Sequence, residues 1–314
     1  MHTLRKFSNP VKDLGMDTDV LNEMAIMLGK RYWTVGASAS ELLYLYLQRH
    51  DCAGHEIVVP NWGCHSIASA VARAQAIPVF VDIGSSLVVT IDDISKALSL
   101  ETKVVIVVEQ YGIPCDYIKI RHVLDSNVTL IADISQSWGA RVCGYPSGYG
   151  ADAVLISFGP GKPLSVGGGG AVFTDRQELL IDEGTPDFRN VDTLLSAARF
   201  PPSLRQALPE ALRISKRNLI YRQEMVERIS ADISDSDTQL VSIPRGYQPA
   251  WTRVPFVKCE EHYRHYLSQF GLLQYPHSKS VSELPMFERI TSRRIRRPEQ
   301  QFPLLLKLNS AQMQ

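Results

Sequence analysis

The chain has 314 residues, 45% of them from the set AVILMFWYC and 21% charged, enough to bury an ordinary globular core and, by length, to fill about two domains. Thirty-three basic side chains balance thirty-three acidic ones, so no global field exists to hold nucleic acid or an anionic membrane, and any anion must be bound locally. The longest apolar runs, such as 104–108, are strand-sized and far short of the roughly 20 residues a spanning helix needs.

In chain order, Met1-His2-Thr3-Leu4-Arg5-Lys6 leads into Ser8, Asn9 and Pro10 before any apolar stretch, so no secretory leader is expected. Between residues 56 and 174, short β-branched runs recur at 56–59, 77–81, 104–108, 128–132, 153–156 and 171–174. Helix-like stretches lie between several of them, at 66–76, 92–98 and 116–124, the last opening on a capping residue. The alternation predicts an α/β fold with a mostly parallel sheet covered by helices. Beyond about residue 180 strand signals thin out, and a long amphipathic helix is expected over 203–229, broken at Pro209. The stretch 239–308, punctuated by seven prolines, fits a small α+β unit with many turns. The expected organisation is a large α/β domain over 1–200, followed by a linking helix and a small, reduced domain over 201–314. The basic run Arg293, Arg294, Arg296, Arg297 is expected to be a solvated turn. Five cysteines, at 52, 64, 115, 143 and 259, are odd in number and scattered, which suits reduced thiols in a cytoplasmic protein.

Glycine-rich stretches invite nucleotide readings, which fail. Around Gly161-Lys162 a phosphate loop would need glycine at Ile156 and a hydroxyl at Pro163. Gly148-x-Gly150-x-x-Ala153 precedes a strand instead of following one, against a dinucleotide fingerprint. Cys259, His262 and His265 cannot converge on one metal from a helix, since positions six apart lie about 240° around the axis.

One constellation remains. A strand delivers Asp133 at its C-terminal end, with Gln136 just after; a second ends at Ser157, with Lys162 five residues on; Gly167 to Gly170 then open a third. In a parallel sheet the C-terminal strand ends share one edge, where ligands bind, so Asp133, Ser157 and Lys162 can meet there. An acid, a hydroxyl and a lysine on one edge suit pyridoxal 5'-phosphate chemistry. The lysine amine condenses with the cofactor aldehyde, and a carboxylate beside the pyridine nitrogen keeps it protonated. A free lysine titrates near roughly 10.4 and needs such a setting to act at neutral pH. The glycines are expected to let the backbone approach the cofactor.

These residues also resemble the DegT/DnrJ/StrS family of pyridoxal-phosphate sugar aminotransferases. The likeness rests on residues 132–140, 150–153 and 157–164, and on Gly169-Gly170-Ala171-Val172. Val58-Val59-Pro60, Pro78-Val79-Phe80-Val81-Asp82 and Tyr111-Gly112-Ile113-Pro114-x-Asp116 extend it over about residues 30 to 175. The resemblance implies a fold type I architecture. It makes Lys162 the covalent attachment point, Asp133 the partner of the ring nitrogen, Gln136 a neighbour of the ring hydroxyl or sugar, and Ser157 a phosphate contact. Gly36-Ala37-Ser38, just ahead of an apolar helix, resembles the family's phosphate turn. Where the family stacks an aromatic on the ring this chain has Cys64, so Cys64 and the adjacent His65 are the candidates for that contact. Glu109 replaces a histidine, and Gly168 an acid, at positions on the substrate side in relatives. The Asn-Tyr-Arg segment by which a second subunit often reaches the phosphate is not recognisable.

The implied activity moves an amino group from an amino acid, glutamate being the leading donor, to a keto sugar that is nucleotide-linked, in polysaccharide or secondary-metabolite synthesis. Lys162 would serve as the proton carrier. The altered substrate-side positions leave open a dehydration on the same cofactor, and the missing segment leaves open a non-catalytic sugar-nucleotide-binding relative. A homodimer is expected, because fold type I sites are built at a dimer interface.

Overall fold

We describe residues 17–179, 200–274, 280–287, 290–295 and 303–308 of a computed structural model of the chain. The first half runs α1 (Asp17–Met27), β1 (Tyr32–Gly36), α2 (Ala39–Arg49), β2 (Glu56–Pro60), α3 (Ser66–Arg73), β3 (Ile77–Val81), α4 (Ile91–Ala97), β4 (Thr102–Val108), α5 (Tyr117–His122) and β5 (Thr129–Asp133). It continues through β6 (Arg141–Val142), β7 (Tyr145–Pro146), β8 (Ala153–Ser157) and β9 (Gly170–Thr174). All six Val- and Ile-rich runs are strands, because side chains stiff at χ1 pack well on a pleated surface. β1 carries no such run; it lies at a sheet edge and pairs only with β9.

The second half gives α6 (Pro202–Gln206), α7 (Leu208–Asp232), β10 (Gln239–Leu240), β11 (Tyr247–Gln248), β12 (Val254–Lys258), α8 (Glu261–Ser268), β13 (Gly271–Gln274), β14 (Arg293–Ile295) and β15 (Leu304–Leu308). Pro209 sits in the first turn of α7, where its missing N–H costs nothing, so the predicted break falls just before it, at Ala207.

The main sheet has the strand order β1-β9-β8-β5-β4-β2-β3-β14. Its pairings are parallel except those of β9, which runs antiparallel to β8 and β1. This is the mixed, mostly parallel sheet expected of fold type I. Helices are closed by local chemistry: Ser38 caps α2, Asp116 caps α5, and Thr90 with Asp93 forms a capping box on α4.

One buried cluster, including Val58, Val105, Leu130 and Phe173, fills one side of the sheet; a second, including Leu43, Ile57, Ile106 and Leu155, fills the other. An antiparallel sheet, β10-β12-β15-β13, packs its own core of Val254, Phe256 and Leu306 against Val226 and Ile229 of α7. The same core takes in Trp62 and Tyr111 from loops of the main sheet.

The basic run is not a solvated turn. Arg293 and Arg294 form β14 alongside β3, Arg293 pairs with Glu56 (2.7 Å), and Arg294 grips Asp82 through Nε (3.1 Å) and Nη2 (3.2 Å). Asp82 is 2% exposed, and a buried carboxylate demands such a partner. Arg296 and Arg297 lie outside the described residues, as does the N-terminal run to Lys6. Among the described residues no helix is long and apolar enough to cross a membrane.

Candidate active site

Strand register assembles the site. Gly36 of β1 pairs with Gly170 at the start of β9, Gly170 with Ser157 at the end of β8, and Val108 of β4 with Asp133 at the end of β5. Because β9 runs backwards, its first residue meets the last residues of its neighbours, so Gly36, Gly170, Ser157 and Asp133 share one edge. Ser135 ties two of these ends together, its Oγ accepting the N–H of Ser157 at 2.9 Å.

Lys162 follows in a turn closed by its N–H to the Gly159 carbonyl (3.3 Å), with Gly161 at φ +76° supplying the left-handed step. Its half-buried side chain lines a pocket of about 350 Å³ together with Trp62, Cys64, Gln110, Tyr111 and Gln136. Asp133 is 7% exposed and accepts the Ser135 N–H at 2.9 Å. Among the described residues no cation lies within ion-pair distance of it. Burial raises its pKa, and Ser135 and the positive charge of Lys162 pull the other way. A buried carboxylate with so little compensation is a place where a ligand cation would be welcome.

The pocket wall is fixed by a chain of amides. Gln136 Oε1 accepts the Tyr111 N–H (3.2 Å), Gln136 Nε2 donates to Gln110 Oε1 (3.0 Å), and Gln110 Nε2 donates to the Trp62 carbonyl (3.1 Å). Trp62 Nε1 donates to the Tyr111 hydroxyl at 2.6 Å, and burial pushes that phenol's pKa up to about 12, so it stays protonated. Cys64 is exposed at the pocket rim, beside the Ser66 hydroxyl (3.1 Å). His65 is exposed ahead of α3 and does not line the pocket.

Ser38 caps α2 by accepting the Glu41 N–H at 3.2 Å, which leaves the helix's first N–H groups facing the Gly36-Ala37-Ser38 turn. The glycines beside it serve the chain itself. A Cβ on Gly170 would stand 2.6 Å from the Ala39 nitrogen, and one on Gly169 would stand 2.3 Å from the Phe200 ring. Their bareness lets β9 pass under the opening of α2.

Glu109 is not on the substrate side. It is fully buried behind the pocket wall, where it accepts the Cys115 N–H (2.7 Å) and the Ser147 hydroxyl. Burial pushes its pKa up to about 7. The turn it anchors, Gln110–Gly112, holds Tyr111 at φ +60°.

Sequence reasoning misses Gln110, Tyr111, Thr252 and Arg253, all lining the pocket. Trp251-Thr252-Arg253 follows Pro249 in the proline-broken tail, where no spacing marks it. Backbone bonds hold it against the main sheet's loop: Ala250 N to Gly112 O (2.8 Å) and Arg253 N to Tyr111 O (3.3 Å).

Comparison with known proteins adds a family. Vibrio cholerae GDP-perosamine synthase is 29% identical over 164 residues, 51% of this chain and 44% of that protein. An Acidithiobacillus ferrooxidans UDP-N-acetyl-3-dehydro-alpha-D-glucosamine 3-aminotransferase is 34% identical over 161 residues, 50% of this chain and again 44% of that protein. The chain thus spans less than half the length of these curated relatives. The crystal structure of a DegT DnrJ EryC1 StrS aminotransferase from Brucella abortus superposes with a TM-score of 0.77 at 22% identity, covering 95% of this chain and 86% of that one, which shows the shared fold. The model of the DegT/DnrJ/EryC1/StrS aminotransferase family matches residues 17–183, more than half the sequence, and the chain belongs to that family.

Proposed function

We propose that the protein is a pyridoxal-phosphate-dependent aminotransferase that carries an amino group from an amino acid, glutamate, to a keto sugar, nucleotide-linked, in sugar biosynthesis. The observation that carries this reading is the pairing across one sheet edge of Lys162, open to the pocket, with Asp133, a buried carboxylate that has no cation within ion-pair distance among the described residues. Family membership and the names of the relatives point the same way.

The site's residues fit the cofactor. Lys162 would hold it covalently, Asp133 would face its ring nitrogen, and Ser157 with the Gly36-Ala37-Ser38 turn at the α2 N-terminus would take its phosphate. Cys64 and Gln136 would border the ring. His65, exposed and outside the pocket, would serve only at its mouth. When bound, the cofactor supplies an electron sink for a carbanion at the substrate's amine-bearing carbon.

The chain supplies the rest. With the cofactor bound, Lys162 Nζ would take the proton from the donor's amine-bearing carbon as general base and would return it during amino transfer. Asp133 would support that chemistry by stabilising a positive charge on the ring nitrogen that water would otherwise solvate. Tyr111 and Trp62, locked to each other, keep water from one side of the pocket.

The pocket is open at Gly63, Cys64 and Gly161, which are exposed, and a second copy placed over this mouth would enclose it, so we propose a homodimer. The five cysteines are unpaired, which supports a reducing, cytoplasmic location. The test is an absorbance spectrum of holoprotein before and after glutamate, with assay of released 2-oxoglutarate. A shift with release supports transamination; a shift with no 2-oxo acid from any common amino donor would move the reading to dehydration, and no cofactor uptake at all would overturn it.

A further inference from the structure

The amide chain on the pocket wall leaves one polar hydrogen that the mechanism above does not use. Gln136 Oε1 accepts the Tyr111 N–H (3.2 Å), and Gln136 Nε2 donates one hydrogen to Gln110 Oε1 (3.0 Å). A side-chain amide nitrogen carries two hydrogens, and the second has no acceptor among the described residues. Gln110, Gln136 and Lys162 line the same pocket.

The direction of this chain is forced by its ends. It begins at the backbone N–H of Tyr111, which can only donate, and finishes at the backbone carbonyl of Trp62, which accepts from Gln110 Nε2 at 3.1 Å and can do nothing else. Turning either amide over sets like against like at two contacts, and turning both over does so at the two ends. The bond to Tyr111 alone is a single contact about which the Gln136 amide could swing. Gln110 supplies the second contact and so fixes which edge of that amide is presented. The backbone makes room for it: Gln110 is 2% exposed, and a Cβ on Gly63, at φ +120°, would overlap Gln110 Nε2.

We propose that Gln110 is a positioning residue: it turns the Gln136 amide so that an uncommitted N–H, and not the carbonyl, is offered to the hydroxyl oxygen of the cofactor ring. The inference rests on the cofactor reading and adds to it a residue that acts only through another. An N–H aimed at that oxygen favours its deprotonated form, whereas a carbonyl there would repel it. The consequence is readable in the absorbance of the bound cofactor, which changes as the ring system loses its proton.

The test is a spectrophotometric pH titration of holoprotein for wild type, Gln110→Met, Gln110→Glu, Gln136→Met and the double variant Gln110→Met with Gln136→Met, alongside melting of each cofactor-free protein. The titratable groups lining the pocket, Cys64, Tyr111, Lys162 and Arg253, and the nearby strand-end Asp133 are common to all of them, so differences in midpoint report the amides. Gln136→Met, which loses the donor, should raise the midpoint by about 1–2 units, and Gln110→Met, which only frees the amide to swing, by about 0.5–1 unit. The double variant should match Gln136→Met alone, because a residue that acts through Gln136 then has nothing to act on. Gln110→Glu should stay near wild type: the new carboxyl accepts from Gln136 whether ionised or not, and when protonated it also donates to the Trp62 carbonyl. A merely structural role would lower the melting temperature of Gln110→Met and spare the midpoint. An unchanged midpoint in Gln110→Met, a Gln110→Glu that shifts as far as Gln110→Met, or additive shifts in the double variant would overturn the proposal. If the midpoint lies outside the pH range in which the protein is folded, the ratio of the cofactor's two absorbance bands at fixed pH ranks the variants by the same criteria. Should Gln110→Met fail to fold, Gln110→Asn, one methylene too short to span both partners, replaces it. A wild type that takes up no cofactor would sink the cofactor reading and the inference together, whereas a loaded wild type with indifferent Gln110 variants sinks the inference alone.

Discussion

The pocket wall that carries Lys162 follows the strand ends of a parallel sheet, Asp133 standing at one of them, whereas the wall that carries Thr252 and Arg253 is a turn held by backbone bonds to Tyr111 and Gly112. The first wall inherits its precision from register: once β4, β5 and β8 pair, their last residues have no freedom to be elsewhere. The second wall depends on contacts more than a hundred residues apart in sequence, with Trp251 at φ +50° and Gly112 at φ +88° accommodating the close approach. The first wall is thus set by sheet register and the second by a few backbone bonds between distant segments.

Substitutions can break the two walls separately. The largest effect is expected at Lys162→Ala, which should cut transamination about 10⁴-fold and abolish covalent cofactor attachment while leaving the melting curve of the cofactor-free protein unchanged. Asp133→Asn follows. A carboxylate facing the ring nitrogen shifts its pKa by about 1–3 units, so turnover should fall about 10- to 1,000-fold. The cofactor-free variant should be no less stable at neutral pH, since burial raises the Asp133 pKa and the charge is costly there.

Glu109 lies behind the loop that joins the walls, and it sharpens the comparison through pH. Its pKa in the folded protein, about 7, stands above its ordinary 4.5, so the folded state holds a proton the unfolded state has released. Stability should therefore be greatest below about pH 4.5 as far as this group is concerned, fall as pH rises through the interval to about 7, and be fully penalised above it, by roughly 3 kcal/mol at most. Glu109→Gln, which can still accept from Cys115 and donate to Ser147, should flatten that segment of the denaturation profile against pH. The smallest effect is expected at Gly112→Ala. The new Cβ would stand 2.7 Å from the Trp251 nitrogen at a positive φ, destabilising by about 2 kcal/mol, as read by chemical denaturation, and loosening the segment that carries Thr252 and Arg253.

The legibility of the molecule follows the same division. The six Val- and Ile-rich strands, and with them the strand-end positions of Asp133 and Ser157, can be read because period and β-branching are local signals. β1 escapes notice, since Tyr-Trp-Thr-Val-Gly is a strand only once β9 lies beside it. The orientation of Glu109 cannot be read either; at the end of β4 a side chain can turn to the pocket or to the interior, and Ser147 and the Cys115 N–H decide for the interior. Arg293 and Arg294 look solvated in sequence because their partners, Glu56 and Asp82, are more than two hundred residues away. Thr252 and Arg253 are hidden for the same reason.

Reduction of the holoprotein with borohydride, followed by peptide mass spectrometry, tests the central claim most directly. A phosphopyridoxyl group confined to the peptide bearing Lys162 is the predicted result. Its absence, or its presence on another lysine with Lys162 unmodified, would contradict the account.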